Sequence, residues 1–93
     1  MSIEFTDGSI LRTFESVFFD STNERYGFHW MNTQNQTIFR WDNIPHFPKF
    51  ETFPFHRHIG ANEIAEPFVR VNLEDVLLIV AQSLMQDLLS SNT

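Results

Sequence analysis

The chain has no cysteine, so neither a disulfide framework nor a thiolate metal site is open to it. Its first residues, "MSIEFTDG", contain no basic segment and no apolar run, which excludes the pattern of a secretory signal. The longest uninterrupted apolar stretch, "VLLIVA" at residues 76–81, falls far short of the roughly 20 residues that a membrane-spanning helix needs. An excess of positive charge is missing as well: six basic residues stand against twelve acidic ones, a net charge of −6. That balance counts against an ordinary nucleic-acid binder, whose affinity comes largely from Lys and Arg on phosphates, and it suits a basic partner protein. No internal repeat, low-complexity tract or linker interrupts the chain. These absences leave a soluble, cytoplasmic protein as the expectation. At 93 residues the length supports one domain, 1–93, with the last residues, 90–93, as a frayed tail.

Large rings are what the chain has instead. A chain this short buries only roughly 60–65% of the surface its unfolded form exposes. Eleven Phe, two Trp and one Tyr make the most of that fraction, because each ring buries a large area per residue.

The first half alternates. "TDGS" (residues 6–9) carries Asp-Gly, a two-residue hairpin signal, and leads into residues 10–19. There Ile10, Arg12, Phe14, Ser16 and Phe18 share one face, and Leu11, Thr13, Glu15, Val17 and Phe19 the other. After turn composition at residues 20–24, Tyr26, Phe28 and Trp30 alternate with Gly27, His29 and Met31. A second turn, "NTQNQ" at residues 32–36, precedes "TIFRWD", in which Phe39 and Trp41 face one way and Ile38, Arg40 and Asp42 the other. Three or four strands in hairpin order make an antiparallel meander. The period then changes. Asn72 is a helix N-cap with Asp75 three residues on, and Leu73, Val76, Leu77, Val80, Leu84 and Leu88 follow helical spacing to about residue 89. Leu78, Ile79, Ala81, Met85 and Leu89 widen the apolar stripe, so the helix is either sandwiched or turned towards a partner. The fold expected is α+β: a small antiparallel meander, a Pro/His-rich crossing and one long C-terminal helix packed on the sheet.

The crossing is where chemistry-bearing residues gather. Residues 40–60, "RWDNIPHFPKFETFPFHRHIG", hold three of the four histidines, three of the four prolines and four of the eleven phenylalanines. They also carry three basic residues against two acids, a local break in the acidic balance. The prolines enforce an extended path, with a short strand expected around residues 53–59. On such a strand His56 and His58 point to one side and Arg57 to the other. Two imidazoles so placed suit three roles. As metal ligands they would recruit His46, Asp42 or His29 as a third, although no recognised His/Asp metal motif is present. As an acid/base pair on a phosphodiester, His46, His56 and His58 would work with Arg40 or Arg57 and no metal. Taken singly, each histidine is most simply a polar residue that pairs backbone left open by proline. Lone His29 reads as a strand residue among aromatics, and Arg40 as an ion-pair partner of Asp42 or Glu51. Acid/base chemistry ranks above the metal, and no cofactor is expected.

The run "FRWDN-PH" (residues 39–46, with Ile44 in the open slot), "TFPFHRHIG" (52–60) and "VNLEDVL" (71–77), after the opening "DGS", resembles the TumE-like toxin family. Members are the toxin halves of prokaryotic toxin–antitoxin pairs, typically encoded beside a helix-turn-helix antitoxin. The resemblance runs from about Glu4 to Leu78. It implies a toxin-like protein neutralised by contact with an antitoxin, with RNA or translation as target. Position by position it offers Arg40, Asp42, Asn43, His46, His56 and His58 as site residues. Where members often show a second histidine after the proline and another before His-x-His, this chain has Phe47 and Phe55. Two functional classes follow: a metal-independent ribonuclease-like toxin working from residues 40–60, or a non-catalytic or degenerate member that acts by binding protein. A homodimer is compatible with either.

Overall fold

The computed structural model describes residues 1–17 and 24–91. Six strands pair in chain order into one antiparallel sheet: β1 (Ser2–Glu4), β2 (Ile10–Val17), β3 (Glu24–Met31), β4 (Thr37–Asp42), β5 (His56–Ile59) and β6 (Ile64–Pro67). One helix, α1 (Leu73–Ser91), follows. The fold is α+β, as the change of period implies. The meander of three or four strands is joined by the short strand expected around residues 53–59, here β5, and by β6, which was not expected. β5 occupies the second half of the segment expected to be extended, and β6 was hidden because "IAEP" is too short and mixed to show alternation. Phe18, Phe19 and most of the turn at residues 20–24 lie outside the described residues.

The register fixes which residues share a face. Leu11 sits opposite Trp30, Phe28 opposite Trp41, and Phe39 opposite Ile59. Leu11, Tyr26, Phe28, Trp30 and Trp41 therefore line one side, where they form a buried cluster with Val71, Val76 and Val80 from the helix and its approach. Rings offset or tilted against one another fill this layer: Tyr26 on Phe28 with centroids 5.5 Å apart, and Phe39 on Trp41 at 5.4 Å. The helix begins where the sequence says. Asn72 Oδ1 accepts from the Asp75 amide and Asp75 Oδ2 from the Asn72 amide, each at 2.9 Å, a reciprocal capping box. Glu74 and Asp75 in the first turn also complement the helix dipole. The helix continues to Ser91. It is not sandwiched: Leu78, Met85 and Leu89 on its outer side are exposed. No helix among the described residues is long and apolar enough to cross a membrane.

The first hairpin departs from the two-residue form. The Phe5 amide donates to the Ser9 carbonyl and the Gly8 amide to the Phe5 carbonyl, both at 2.9 Å, enclosing three residues, Thr6, Asp7 and Gly8. Only Gly8 takes a left-handed φ, 87°. Asp7 keeps an ordinary backbone, and its carboxylate accepts from the Ser9 amide at 2.9 Å, an Asx-type turn. The same bonding recurs at residues 32–36, with Asn35 at φ 61° in the glycine position.

Between β4 and β5 the crossing, residues 43–55, folds back over the sheet end. Phe47 and Phe50 stack at 5.0 Å on the side away from the helix, while Phe55 stacks on Tyr26 at 6.3 Å on the helix side.

Candidate functional site

Strand pairing alone assembles a three-residue cluster. Asp42, the last residue of β4, lies directly across from His56, the first of β5, and Arg40 lies across from His58. With a period of two, all four project from the face opposite the helix. His56 Nε2 is 2.9 Å from Asp42 Oδ1, and His58 Nε2 is 3.8 Å from Asp42 Oδ2. The two imidazole rings stand 5.1 Å apart, nearly perpendicular. The other ring nitrogens meet main chain: His56 Nδ1 is 3.0 Å from the Pro54 carbonyl and His58 Nδ1 is 3.1 Å from the Glu63 carbonyl. Phe47 closes the cluster from above, its ring edge-on to His56 at 4.8 Å and to His58 at 6.0 Å. His56, Asp42 and His58 are accordingly only 2%, 5% and 9% exposed. An acid/base pair on an open strip would be accessible, and these rings are covered instead. Phe47 stands in one of the two places where the family resemblance leads one to look for histidine, and that place abuts the cluster. Phe55 stands in the other, and its ring lies on the opposite side of the sheet.

The remaining sequence candidates separate. Arg40 pairs with Glu63 at 3.4 Å, not with Asp42 or Glu51. Asn43 is buried and splints the start of β3, accepting from the Tyr26 amide at 3.1 Å and donating to the Glu24 carbonyl at 2.8 Å. Asp42, besides meeting His56, accepts from the Ile44 amide at 3.1 Å and so starts the turn into the crossing. His46 is exposed on the crossing, its ring 6.4 Å from that of Phe47. Arg57 faces the helix side. It pairs with Glu66, and its guanidinium sits 4.6 Å and 4.4 Å from the ring centres of Phe39 and Phe68, a structural cation–π position.

Beside the cluster, on the same face, the sheet forms a cleft of about 460 Å³. Arg12, Phe14, Arg25, Gly27, His29, Arg40, Asp42 and Ile44 contribute to its walls and floor. Phe14 is 61% exposed, a bare ring at the wall. Gly27, opposite Phe14 in the register, forms the floor, and a Cβ there would meet nothing within 4 Å. A glycine inside a strand weakens it and is tolerated where something else must approach the backbone. His29 belongs to a wall that is itself braced. Its Nε2 and the Thr37 hydroxyl are 2.7 Å apart, and that hydroxyl donates to Glu63 Oε1 at 3.2 Å. Since the hydroxyl proton is committed to Glu63, Nε2 carries the imidazole hydrogen. Burial first, and the nearby Arg40 charge second, push the His29 pKa below its ordinary value, so the ring is neutral near pH 7.

Arg12, Phe14, Arg25 and Gly27 carried no functional weight in the sequence, and His29 was set aside. The signal for them was parity: every one falls on the same alternate face as Arg40 and Asp42. Three of the six basic residues, Arg12, Arg25 and Arg40, line a single cleft.

Comparison with known proteins agrees with the motifs. The family model described as Toxin TumE matches residues 1–84, a span that takes in every strand, the cluster, the cleft and the first two-thirds of the helix. No curated protein and no solved structure matches the chain. The chain belongs to the TumE toxin family.

Proposed function

We propose that this chain is the toxin of a toxin–antitoxin pair and that it acts on RNA laid across the sheet face opposite the helix. The observation that carries this reading is the convergence of Arg12, Arg25 and Arg40 on one cleft of a protein whose net charge is −6. Half the cations of an acidic protein gathered on one face make a locally positive surface of the kind a polyanion requires. The cleft volume, about 460 Å³, lies within the range of small-ligand sites and accommodates a nucleotide or two. Phe14 offers a stacking surface for a base, and Gly27 lets a sugar or phosphate approach the backbone. Asp42, which lines the cleft, joins it to His56 and His58. These three are therefore the reacting end, with Arg40 next to His58 to meet charge that develops on a phosphate. RNA cleavage of this kind attacks phosphorus with the 2′-hydroxyl, moves its proton away and returns one to the departing 5′-oxygen.

The burial of His56 and His58 beneath Phe47 favours a second reading, in which the cleft binds RNA or a ribosomal surface and blocks it without cleavage. Either way the antitoxin, which the helix-turn-helix class would supply, needs a surface of its own. The exposed outer stripe of the helix, Leu78, Met85 and Leu89, is the surface we assign to it.

The test is induction of the protein alone in bacteria, beside a folded Arg12→Gln/Arg25→Gln/Arg40→Gln variant. Growth arrest with RNA decay in the wild type, and neither in the variant, is the expected result. Arrest with intact RNA, again lost in the variant, moves the assignment to occlusion. Equal arrest by both proteins overturns the cleft as the working surface.

A further inference from the structure

We infer that Asp42, His56 and His58 bind one divalent first-row transition ion, of which Zn²⁺ is the representative. The inference stands on the geometry of the cluster and holds whether or not RNA is the target.

A main-chain carbonyl only accepts, so the contacts of His56 Nδ1 to Pro54 O and of His58 Nδ1 to Glu63 O place the hydrogen of each neutral imidazole on Nδ1. Both Nε2 atoms are then left with a lone pair. Both face the same carboxylate, which is itself an acceptor. Electron pairs from three buried groups converge, and His56 Nε2 has no donor partner among the described residues. Left so, the arrangement is costly, since buried polar atoms are almost always paired.

Extra protons are a partial remedy. One proton on His56 Nε2 makes an ion pair with Asp42 at 2.9 Å, but His58 Nε2, 3.8 Å from the carboxylate, stays beyond hydrogen-bond reach. A second proton there places two imidazolium rings 5.1 Å apart around a single negative charge. One cation between the three groups satisfies all of them together. The spacing suits it. An ion held about 2.0–2.1 Å from nitrogen and oxygen in tetrahedral directions sets its ligands about 3.3 Å apart, and the two Nε2–carboxylate separations, 2.9 and 3.8 Å, bracket that value. Donor atoms from all three residues lie within 4.8 Å of one another.

The surroundings agree with a metal centre. Nδ1–H to a backbone carbonyl is the usual way a ligating histidine is oriented and its tautomer fixed. The ligands stand on paired strands, Asp42 across from His56 and His58 two residues on, so the frame is rigid. Two imidazoles and one carboxylate select zinc, cobalt, nickel or ferrous iron over magnesium or calcium, which prefer all-oxygen sites. Three protein ligands leave at least one position open, and Asp42 is shared with the arginine-lined cleft. An ion here makes the reacting end an electrophile rather than a proton relay.

The experiment is titration of chelator-treated protein with Co²⁺, read by its visible absorption, and with Zn²⁺, read by calorimetry, in the absence of RNA. One equivalent is expected. His58→Ala, and Asp42→Asn, which preserves shape and the bond to the Ile44 amide, should each weaken binding by about tenfold or more. His46→Ala should bind as wild type. Nitrogen-15 NMR of the histidine rings supplies a readout independent of folding defects in the variants. Metal should shift the Nε2 resonances of His56 and His58 together and leave His29 in place. Absence of a one-equivalent phase in wild type, binding unchanged by both variants, or chelator-treated protein whose two Nε2 atoms carry protons and do not respond to Zn²⁺, would each overturn the assignment. Because no RNA is present, failure here leaves the cleft proposal standing, and the reverse also holds.

Discussion

The two faces of the sheet are made from the same strands, one residue out of step, and they are chemically unlike. On the helix side, Leu11, Phe28, Trp30 and Trp41 are buried with Val76 and Val80, and the charged Arg57 is held between Phe39 and Phe68 and paired with Glu66. On the open side stand Arg12, Phe14, Arg25, Gly27, His29 and Arg40, with Asp42, His56 and His58 at one end. A period of two lets a strand spend alternate residues on cohesion and on chemistry without compromise at any position. The lesson is that the open face is free to carry cations and a glycine because the other face supplies the stability.

If that division holds, the largest effect belongs to the helix side. Trp41→Ala should lower unfolding free energy by about 3–5 kcal/mol, measured by urea denaturation, whereas Phe14→Ala on the open face should change it by no more than about 0.5 kcal/mol. Similar losses from both would break the comparison. Next, Gly27→Val places a side chain into clear space at a position where a β-branched residue suits a strand. Stability should hold or rise slightly while RNA affinity in a filter or fluorescence assay falls about tenfold or more, since the cleft floor is filled. A variant that loses folding and binding together would show Gly27 to be structural.

A smaller effect comes from His29, whose pKa is lowered by burial and then by Arg40. The sign follows from proton binding: between the lowered folded value and the ordinary one, 6.5, the unfolded chain holds more protons, so stability rises with pH across that window. The contribution is complete above 6.5 and is lost as the pH falls through the folded value. Denaturation midpoints for His29→Gln should therefore fall less steeply below pH 6.5 than those of wild type. An identical slope in the two proteins would show that the ring titrates as if in water. Smallest of all is the Arg70–Glu24 pair, which ties the approach to the helix to the start of β3 and lowers the Glu24 pKa chiefly through their hydrogen bond. It is exposed, and Arg70→Gln should cost no more than about 0.5 kcal/mol and leave growth arrest intact. A larger loss would mean that this edge bears on the fold as strongly as the aromatic layer does.

Much of this was legible without a structure. Alternation at Tyr26, Phe28 and Trp30 and at Phe39 and Trp41 is strong because both faces differ sharply in polarity, and the Asn72/Asp75 cap is a local interaction that neighbouring residues complete by themselves. The grouping of His56 and His58 on one side was legible for the same reason. Their joining to Asp42 was only one of several options, because it depends on the register between β4 and β5, and register across a proline-rich crossing has no local signature. Arg40 was paired by proximity in sequence with Asp42 or Glu51, yet its partner is Glu63, brought there by the turn after β5. Asn43, a position the resemblance offers, bonds main chain at Tyr26 and Glu24, partners that lie 17 and 19 residues away and carry no local signal. The cleft was missed for a different reason. Its residues come from β2, β3, β4 and the start of the crossing, and only pairing places Arg12, Arg25 and Arg40 within one concavity.

The order of elements along the chain has a consequence for synthesis. Each strand pairs with its neighbour in sequence, so the pairing is local apart from the crossing at residues 43–55, and among the described residues the helix that covers the sheet is encoded after it. On a translating ribosome the strands leave the exit tunnel before the helix does. Phe28, Trp30 and Trp41 then face solvent as an adhesive aromatic plane until residues 73–91 emerge and dock. A message truncated before Leu73 would thus yield a finished sheet with nothing to cover it, and such a fragment should aggregate or be degraded rather than persist as a partial toxin.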